Sequence, residues 1–80
     1  MNEIVFPGSF DPITNGHVDI IKRALPLFKK IIIAVGINSN KNYMFKLEDR
    51  IHFINETFKN EKKIEVKSYD GLTVEFCKKN

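Results

Sequence analysis

The most constraining feature of this sequence is the run I-I-I-A-V-G-I at residues 31–37, which is continuous, apolar and rich in β-branched side chains. β-Branched residues favour strands because their side chains pack well on a pleated surface. A strand with one exposed face alternates apolar and polar residues, and this run does not alternate. It therefore predicts a strand that is covered on both faces by helices, as the strands of parallel sheets are.

Shorter patterns on either side of this run predict an alternating order of strands and helices. Pro26 predicts a kink or an early end of the first helix, and Asp70 is suited to cap the last one. The β-α-β-α-β-α order predicts an α/β fold with a parallel sheet and right-handed crossovers. The further predicted strands cover residues 4–6 and 64–67, and the predicted helices cover residues 17–28, about 45–58 and 71–79.

The segment F-P-G-S-F-D-P-I-T-N-G-H at residues 6–17 joins the first strand to the first helix and has the composition of a phosphate site. The first N–H groups of a helix have no intrahelical partner and carry partial positive charge. Gly8 and Gly16 have no Cβ, so we expect them to let an anion approach the backbone. Ser9 adds a hydroxyl and His17 adds an imidazole. The segment is therefore predicted to offer several donors to one anion.

Three turns that follow predicted strands are expected to meet at one edge of the sheet. They are the Ser9 turn, the polar loop that contains Lys41, and the turn over residues 69–73. Because ligands of parallel sheets bind beyond the carboxyl ends of the strands, these turns predict one shared crevice.

The segment P-G-S-F-D-P-I-T-N-G-H resembles the start of the phosphopantetheine adenylyltransferase family, and its T-N-G-H end matches the (T/H)xGH motif of the wider nucleotidyltransferase superfamily. N-S-N-K-N-Y-M-F-K-L-E-D-R at residues 38–50 and Y-D-G-L-T at residues 69–73 resemble two further segments of that family. Lys46 stands where the family usually has Ser or Thr, so the second helix lacks a hydroxyl N-cap. The resemblance implies a Rossmann-like, doubly wound parallel sheet.

The resemblance implies adenylyl transfer from ATP to 4′-phosphopantetheine, which gives dephospho-coenzyme A and pyrophosphate. It implies that His17 binds the α-phosphate and stabilises the transition state, and that Lys41 offsets the repulsion between two phosphates. Ser9 would donate to the acceptor phosphate, and the Phe10 N–H would donate to ATP. Thr73 would contact the pantetheine part. The implied ATP-binding residues are thus Ser9, Phe10 and His17, and the implied phosphopantetheine-binding residues are Ser9, Lys41 and Thr73.

The chain has 80 residues, and members of that family are about twice as long. Residues 1–80 are therefore expected to form the N-terminal half of a Rossmann-like nucleotidyltransferase domain, and to be inactive alone. Two alternatives stay open: a nucleotide- or phosphate-binding chain without catalysis, and a related nucleotidyltransferase with another phosphate acceptor. The resemblance also implies a homo-oligomer, typically a hexamer. With only three strands, residues 4–6 would lie at a sheet edge, which favours intermolecular contacts.

Composition argues against other classes of protein. The net charge is +3 and the lysines are scattered, which does not favour a nucleic-acid partner. The single cysteine, Cys77, cannot form an internal disulfide and is expected to be a buried hydrophobe. Together with the lack of a signal-peptide pattern or a membrane-spanning run, this indicates a cytoplasmic protein.

Three polar residues are assigned structural roles. Asp11 is expected to form an Asx-turn, and Asn15 is expected to help cap the first helix. His52 is expected at or near the surface, with no catalytic part. No cluster of His, Cys, Asp and Glu has the spacing of metal ligands, so Mg²⁺ is expected to arrive with ATP.

Overall fold

The computed structural model describes residues 3–37 and 42–70. The predicted last helix, Cys77 and two implied site residues, Lys41 and Thr73, lie outside the described residues. The alternating order predicted from the sequence is confirmed for the rest. The elements are β1 (Glu3–Gly8), α1 (Asn15–Ala24), a 3₁₀ helix (Leu25–Leu27), β2 (Lys30–Ile37), α2 (Leu47–Thr57) and β3 (Ile64–Asp70).

The strands form a parallel sheet in the order β1-β2-β3. Ile4 lies opposite Ile31, and Ile31 lies opposite Ile64. Successive parallel strands need a crossover connection, which α1 and α2 supply. β2 and β3 end together, since Ile37 lies opposite Asp70, and β1 ends two residues earlier, with Gly8 opposite Val35. The fold is a Rossmann-like α/β arrangement, with the carboxyl ends of the described strands at one edge.

The core lies between the helices and one face of β2. All five residues from Ile31 to Val35 are buried, which confirms a buried strand, whereas helices on both of its faces stay a prediction. Alternate residues point to opposite faces, so Ile32 and Ala34 are buried on the side away from this cluster. The described helices thus pack on one face of β2. The buried residues of that cluster are Phe10, Ile21, Ala24, Ile31, Ile33, Val35, Ile54 and Phe58.

α1 begins before its predicted start, and it ends early, as Pro26 predicts. Thr14 is the N-cap, and its side chain accepts a hydrogen bond from the His17 N–H. The prediction that Asn15 caps the helix is wrong, since Asn15 is the first helical residue and cannot reach the orphan amides of its own turn. The helix ends at Ala24, four residues before the predicted end, because Pro26 has no N–H and the chain tightens into a 3₁₀ turn.

The start of α2 is as the sequence predicts. Lys46 occupies the N-cap and makes no side-chain capping bond. Glu48 and Asp49 lie in the first turn, where negative charge is favoured by the helix dipole. The helix therefore relies on packing and on these charges for its start.

β1 forms an edge of the described sheet, and we expect the chain to self-associate through its unpaired backbone groups. Sedimentation velocity should show a mass that rises with concentration. Val5→Lys, which puts a charge on β1, should lower the associated fraction, whereas Leu27→Lys adds the same charge outside the sheet and should not. A monodisperse monomer that unfolds cooperatively at all concentrations would contradict this prediction.

Candidate phosphate-binding site

The turn after β1 is built around the ring of Phe10. This residue has a left-handed φ of 47°, a conformation that costs a non-glycine residue about 1–2 kcal/mol. Its side chain is only 3% exposed. A Cβ on Gly8 would lie 3.0 Å from Cε2 of this ring. The Phe10 ring thus occupies the space that a Cβ on Gly8 would take, which gives Gly8 a packing role, and its access to an anion stays a prediction.

The space beside Gly16 is open. A Cβ placed there would meet only the Thr14 hydroxyl oxygen, at 3.7 Å. Gly16 is also exposed, at the N-terminal end of α1. An anion could therefore approach the backbone at Gly16, and that part of the expectation stays a prediction.

The His17 ring is held from two sides. Its Nδ1 accepts a hydrogen bond from the Thr14 backbone N–H at 3.1 Å and lies 3.0 Å from the Thr14 hydroxyl oxygen. The ring centroid lies 4.8 Å from that of Phe10. Because Nδ1 acts as an acceptor, the proton of the neutral ring belongs on Nε2. His17 therefore completes the helix cap with one nitrogen and presents a donor with the other.

Asp11 connects the turn after β1 to the segment before α2. One carboxylate oxygen accepts from the Met44 N–H at 2.5 Å and the other accepts from the Phe45 N–H at 2.7 Å. The predicted structural role is thus correct, but the predicted Asx-turn is wrong. The partners lie 33 and 34 residues along the chain, and local sequence pattern does not reveal such pairs.

Arg50 makes the reciprocal connection from α2 and was not predicted from the sequence. Its side chain is buried, and its Nη1 donates to the Ser9 carbonyl at 2.9 Å and to the Gly36 carbonyl at 3.1 Å. Its Cζ lies 4.1 Å from the centroid of the Tyr43 ring. One available signal is its spacing, because Arg50 lies three residues after Leu47 and four before Ile54 on the buried side of α2.

A small cavity opens beside His17. Its volume is about 70 Å³, whereas pockets that enclose a ligand of drug size measure about 300–1,000 Å³. The cavity is too small to enclose a nucleotide. It is lined by Phe6, Pro7, Phe10, His17, Ile20 and Ile21.

The structure brings three of the implied site residues together. Ser9, Phe10 and His17 lie in and directly after one turn, and His17 packs on Phe10. No described residue forms a hydrogen bond with the Ser9 hydroxyl, which leaves it available to a ligand. His52 is exposed on α2, where its ring lies 6.3 Å from that of Phe53.

The described residues contain no group of three or more His, Cys, Asp or Glu side chains arranged to hold a metal ion. Asp11, the carboxylate of the turn after β1, already accepts two amide N–H groups. The described residues therefore do not fit a resident metal. Among the same residues, none of the helices has the length and apolarity needed to cross a bilayer.

Asp11→Asn should loosen the joint between the two segments. Asn has a single carbonyl oxygen, so one amide loses its acceptor and faces an NH₂ group. Hydrogen bonds to charged groups contribute about 1.5–3 kcal/mol, and we expect a loss of stability of about that size in urea unfolding. Hydrogen exchange at Met44 and Phe45 should accelerate.

The matched control for this variant is Asp19→Asn. Asp19 is 61% exposed and forms a surface ion pair with Arg23, so its loss should change stability by less than about 0.5 kcal/mol. Equal effects of the two substitutions would show that the Asp11 bonds do not hold the segments together.

Comparisons with known proteins agree with the resemblance noted in the sequence. The chain is similar to proteins named phosphopantetheine adenylyltransferase from Christiangramia forsetii (67% identity over 78 residues), Flavobacterium psychrophilum (62% over 79) and Leptospira biflexa (55% over 74). These alignments cover 98%, 99% and 92% of this chain, but 52%, 52% and 46% of the relatives. The chain thus spans about half the length of the curated relatives it matches.

The family comparison covers nearly the whole chain. The sequence model described as cytidylyltransferase-like matches residues 5–80, which include the turn after β1, His17 and all the described helices. The parallel order of the described strands agrees with this assignment. We conclude that the chain belongs to the cytidylyltransferase-like family.

Proposed function

We propose that this chain supplies the phosphate-binding residues of an enzyme that transfers the adenylyl group of ATP to 4′-phosphopantetheine. The observation that carries the proposal is the orientation of His17, whose Nδ1 is held by Thr14 while Nε2 is left as a donor at the start of α1. The similarity to proteins named phosphopantetheine adenylyltransferase supports the choice of acceptor.

The proposed reaction needs no general base. A phosphate oxygen of the acceptor, already ionised at neutral pH, attacks the α-phosphorus of ATP. A new P–O bond forms, the bond between the α-phosphorus and the bridging oxygen breaks, and pyrophosphate leaves with that electron pair. The protein has to bring two anions together in line and stabilise the charge on the α-phosphate. Fixed donors and cations meet these needs.

Each site residue receives a role that suits its position. His17 donates from Nε2 to a non-bridging oxygen of the α-phosphate, next to the free N–H groups at the start of α1. Ser9 donates its hydroxyl to the acceptor phosphate, and the Phe10 N–H donates to ATP. Lys41 neutralises charge between the two phosphates, and Thr73 contacts the pantetheine part; both lie outside the described residues.

Mg²⁺ belongs in this proposal as part of the substrate Mg·ATP. The described residues contain no group of three or more His, Cys, Asp or Glu arranged around a metal, and Mg²⁺ is commonly held by substrate phosphates with only one or two carboxylates. We also propose that the protein is cytoplasmic and forms a homo-oligomer. The support for this is the single cysteine in the sequence and the position of β1 at an edge of the described sheet.

Product detection by mass spectrometry tests the proposed reaction. The chain is mixed with Mg·ATP and 4′-phosphopantetheine, with nicotinate mononucleotide as a parallel acceptor, and folding is checked by circular dichroism. Dephospho-coenzyme A in the first mixture alone would support both the reaction and the acceptor. Binding of both substrates without product would favour a non-catalytic binding chain. A folded sample that binds neither substrate would contradict the proposal.

His17→Gln should remove the donor to the α-phosphate. Loss of one such donor lowers a rate on the order of 10²–10³-fold, and we expect that loss in the rate of product formation by an active enzyme that contains residues 1–80. His52→Gln makes the same exchange at an exposed position of α2 and should leave the rate unchanged. An equal effect of the two substitutions would remove His17 from the reaction.

The tautomer of His17 can be measured without any substrate. At alkaline pH, nitrogen NMR should show His17 with its proton on Nε2 and an unprotonated Nδ1, because the Thr14 N–H occupies Nδ1. His52 is exposed and serves as the internal reference for an unconstrained ring. A proton on Nδ1 of His17 would mean that Nε2 is not the donor.

A further inference from the structure

Arg50 joins three segments at the carboxyl edge of the sheet. Its Nη1 donates to carbonyl oxygens of the turn after β1 (Ser9, 2.9 Å) and of the end of β2 (Gly36, 3.1 Å). The guanidinium also lies over the Tyr43 ring, in the segment before α2, with Cζ 4.1 Å from the centroid. One side chain thus contacts the turn after β1, the end of β2 and the segment before α2.

The charge of Arg50 is buried and not neutralised by the described residues. The side chain is 2% exposed, and no described carboxylate forms an ion pair with it. Its Nε has no hydrogen-bond partner among these residues. Asp11 is committed elsewhere, since both of its oxygens accept backbone N–H groups. A buried cation held only by carbonyls and a ring favours an anion nearby, because low polarity strengthens their attraction.

The peptide unit between Ser9 and Phe10 links Arg50 to the Phe10 N–H. This peptide is trans, so its C=O and N–H point in opposite directions. Arg50 holds the C=O, which directs the Phe10 N–H away from Arg50. A hydrogen bond from a cation to the C=O also polarises the peptide and strengthens its N–H as a donor. No described residue accepts a hydrogen bond from the Phe10 N–H.

We propose that Arg50 is a positioning residue for phosphate binding, which orients the Ser9–Phe10 peptide and strengthens the Phe10 N–H toward a bound phosphate. Phe10 has a left-handed φ of 47°, which is unfavourable, and the Arg50 hydrogen bond to the Ser9 carbonyl helps to hold the turn in this conformation. The inference rests on the proposed function, since it takes the phosphates of ATP as the ligand.

The test compares Mg·ATP binding by the unaltered chain and by three variants. Arg50→Gln removes the charge but keeps an NH₂ donor, and Arg50→Lys keeps the charge but loses the planar fork. Arg23→Gln is the matched control, since Arg23 lies on α1 with its side chain 80% exposed. Dissociation constants come from the Phe10 and His17 amide signals in NMR titrations, with tripolyphosphate as a second probe that lacks the nucleoside.

We expect Arg50→Gln to weaken Mg·ATP binding about tenfold or more, as for the loss of a charged hydrogen bond. Arg50→Lys should fall in between, and Arg23→Gln should change binding less than about twofold. Before any ligand is added, the Phe10 amide proton signal should shift in Arg50→Gln in the direction of a weaker donor. A folded Arg50→Gln variant that binds as well as Arg23→Gln would overturn the inference.

The unaltered chain provides a measurement that does not depend on a variant's folding. The Arg50 Nε–H signal should move with the Phe10 amide signal and report the same dissociation constant. If Phe10 and His17 respond to Mg·ATP while Arg50 Nε–H does not, the positioning role is wrong and the proposed function stands. If none of these signals responds, the proposed function and the inference fail together.

Discussion

Parallel pairing of β2 with both of its neighbours determines where a site can form in this chain. The buried middle strand aligns β1 and β3 in the same direction, and α1 and α2 carry the chain back between them. Each strand therefore delivers the next segment to the same edge of the sheet. The turn that contains Ser9 and Phe10 and the segment that leads into α2 become neighbours there, although about 35 residues separate them.

Two charged side chains hold these neighbouring segments in a fixed geometry. Asp11 reaches from the turn to the amides of Met44 and Phe45, and Arg50 reaches back from α2 to the carbonyl of Ser9. One side chain satisfies donors and the other satisfies acceptors, so the two backbones are tied in both directions. Apolar packing cannot supply hydrogen bonds to these backbone N–H and C=O groups, so the two charged side chains hold them in place.

The sequence was sufficient for features that depend on local pattern. The run at residues 31–37 predicted the buried strand, and Pro26 predicted the early end of α1. Contacts between distant segments could not be predicted in the same way. Asp11 was expected to bond its own turn, and Arg50 was overlooked although its spacing places it on the buried side of α2. A charged residue within an apolar helical stripe is the pattern to look for.

The donors proposed for the phosphates share one principle of construction. His17 presents Nε2 because Thr14 holds Nδ1, and we infer that the Phe10 N–H is directed outward because Arg50 holds the Ser9 carbonyl. The imidazole ring and the peptide are both planar units. In each, a hydrogen bond at one end orients the donor at the other end. A reaction whose nucleophile is already ionised needs little proton transfer from its enzyme and gains most from donors that are fixed before the substrates arrive. The proposed reaction thus gives a physical reason for a buried arginine and a left-handed phenylalanine at this turn.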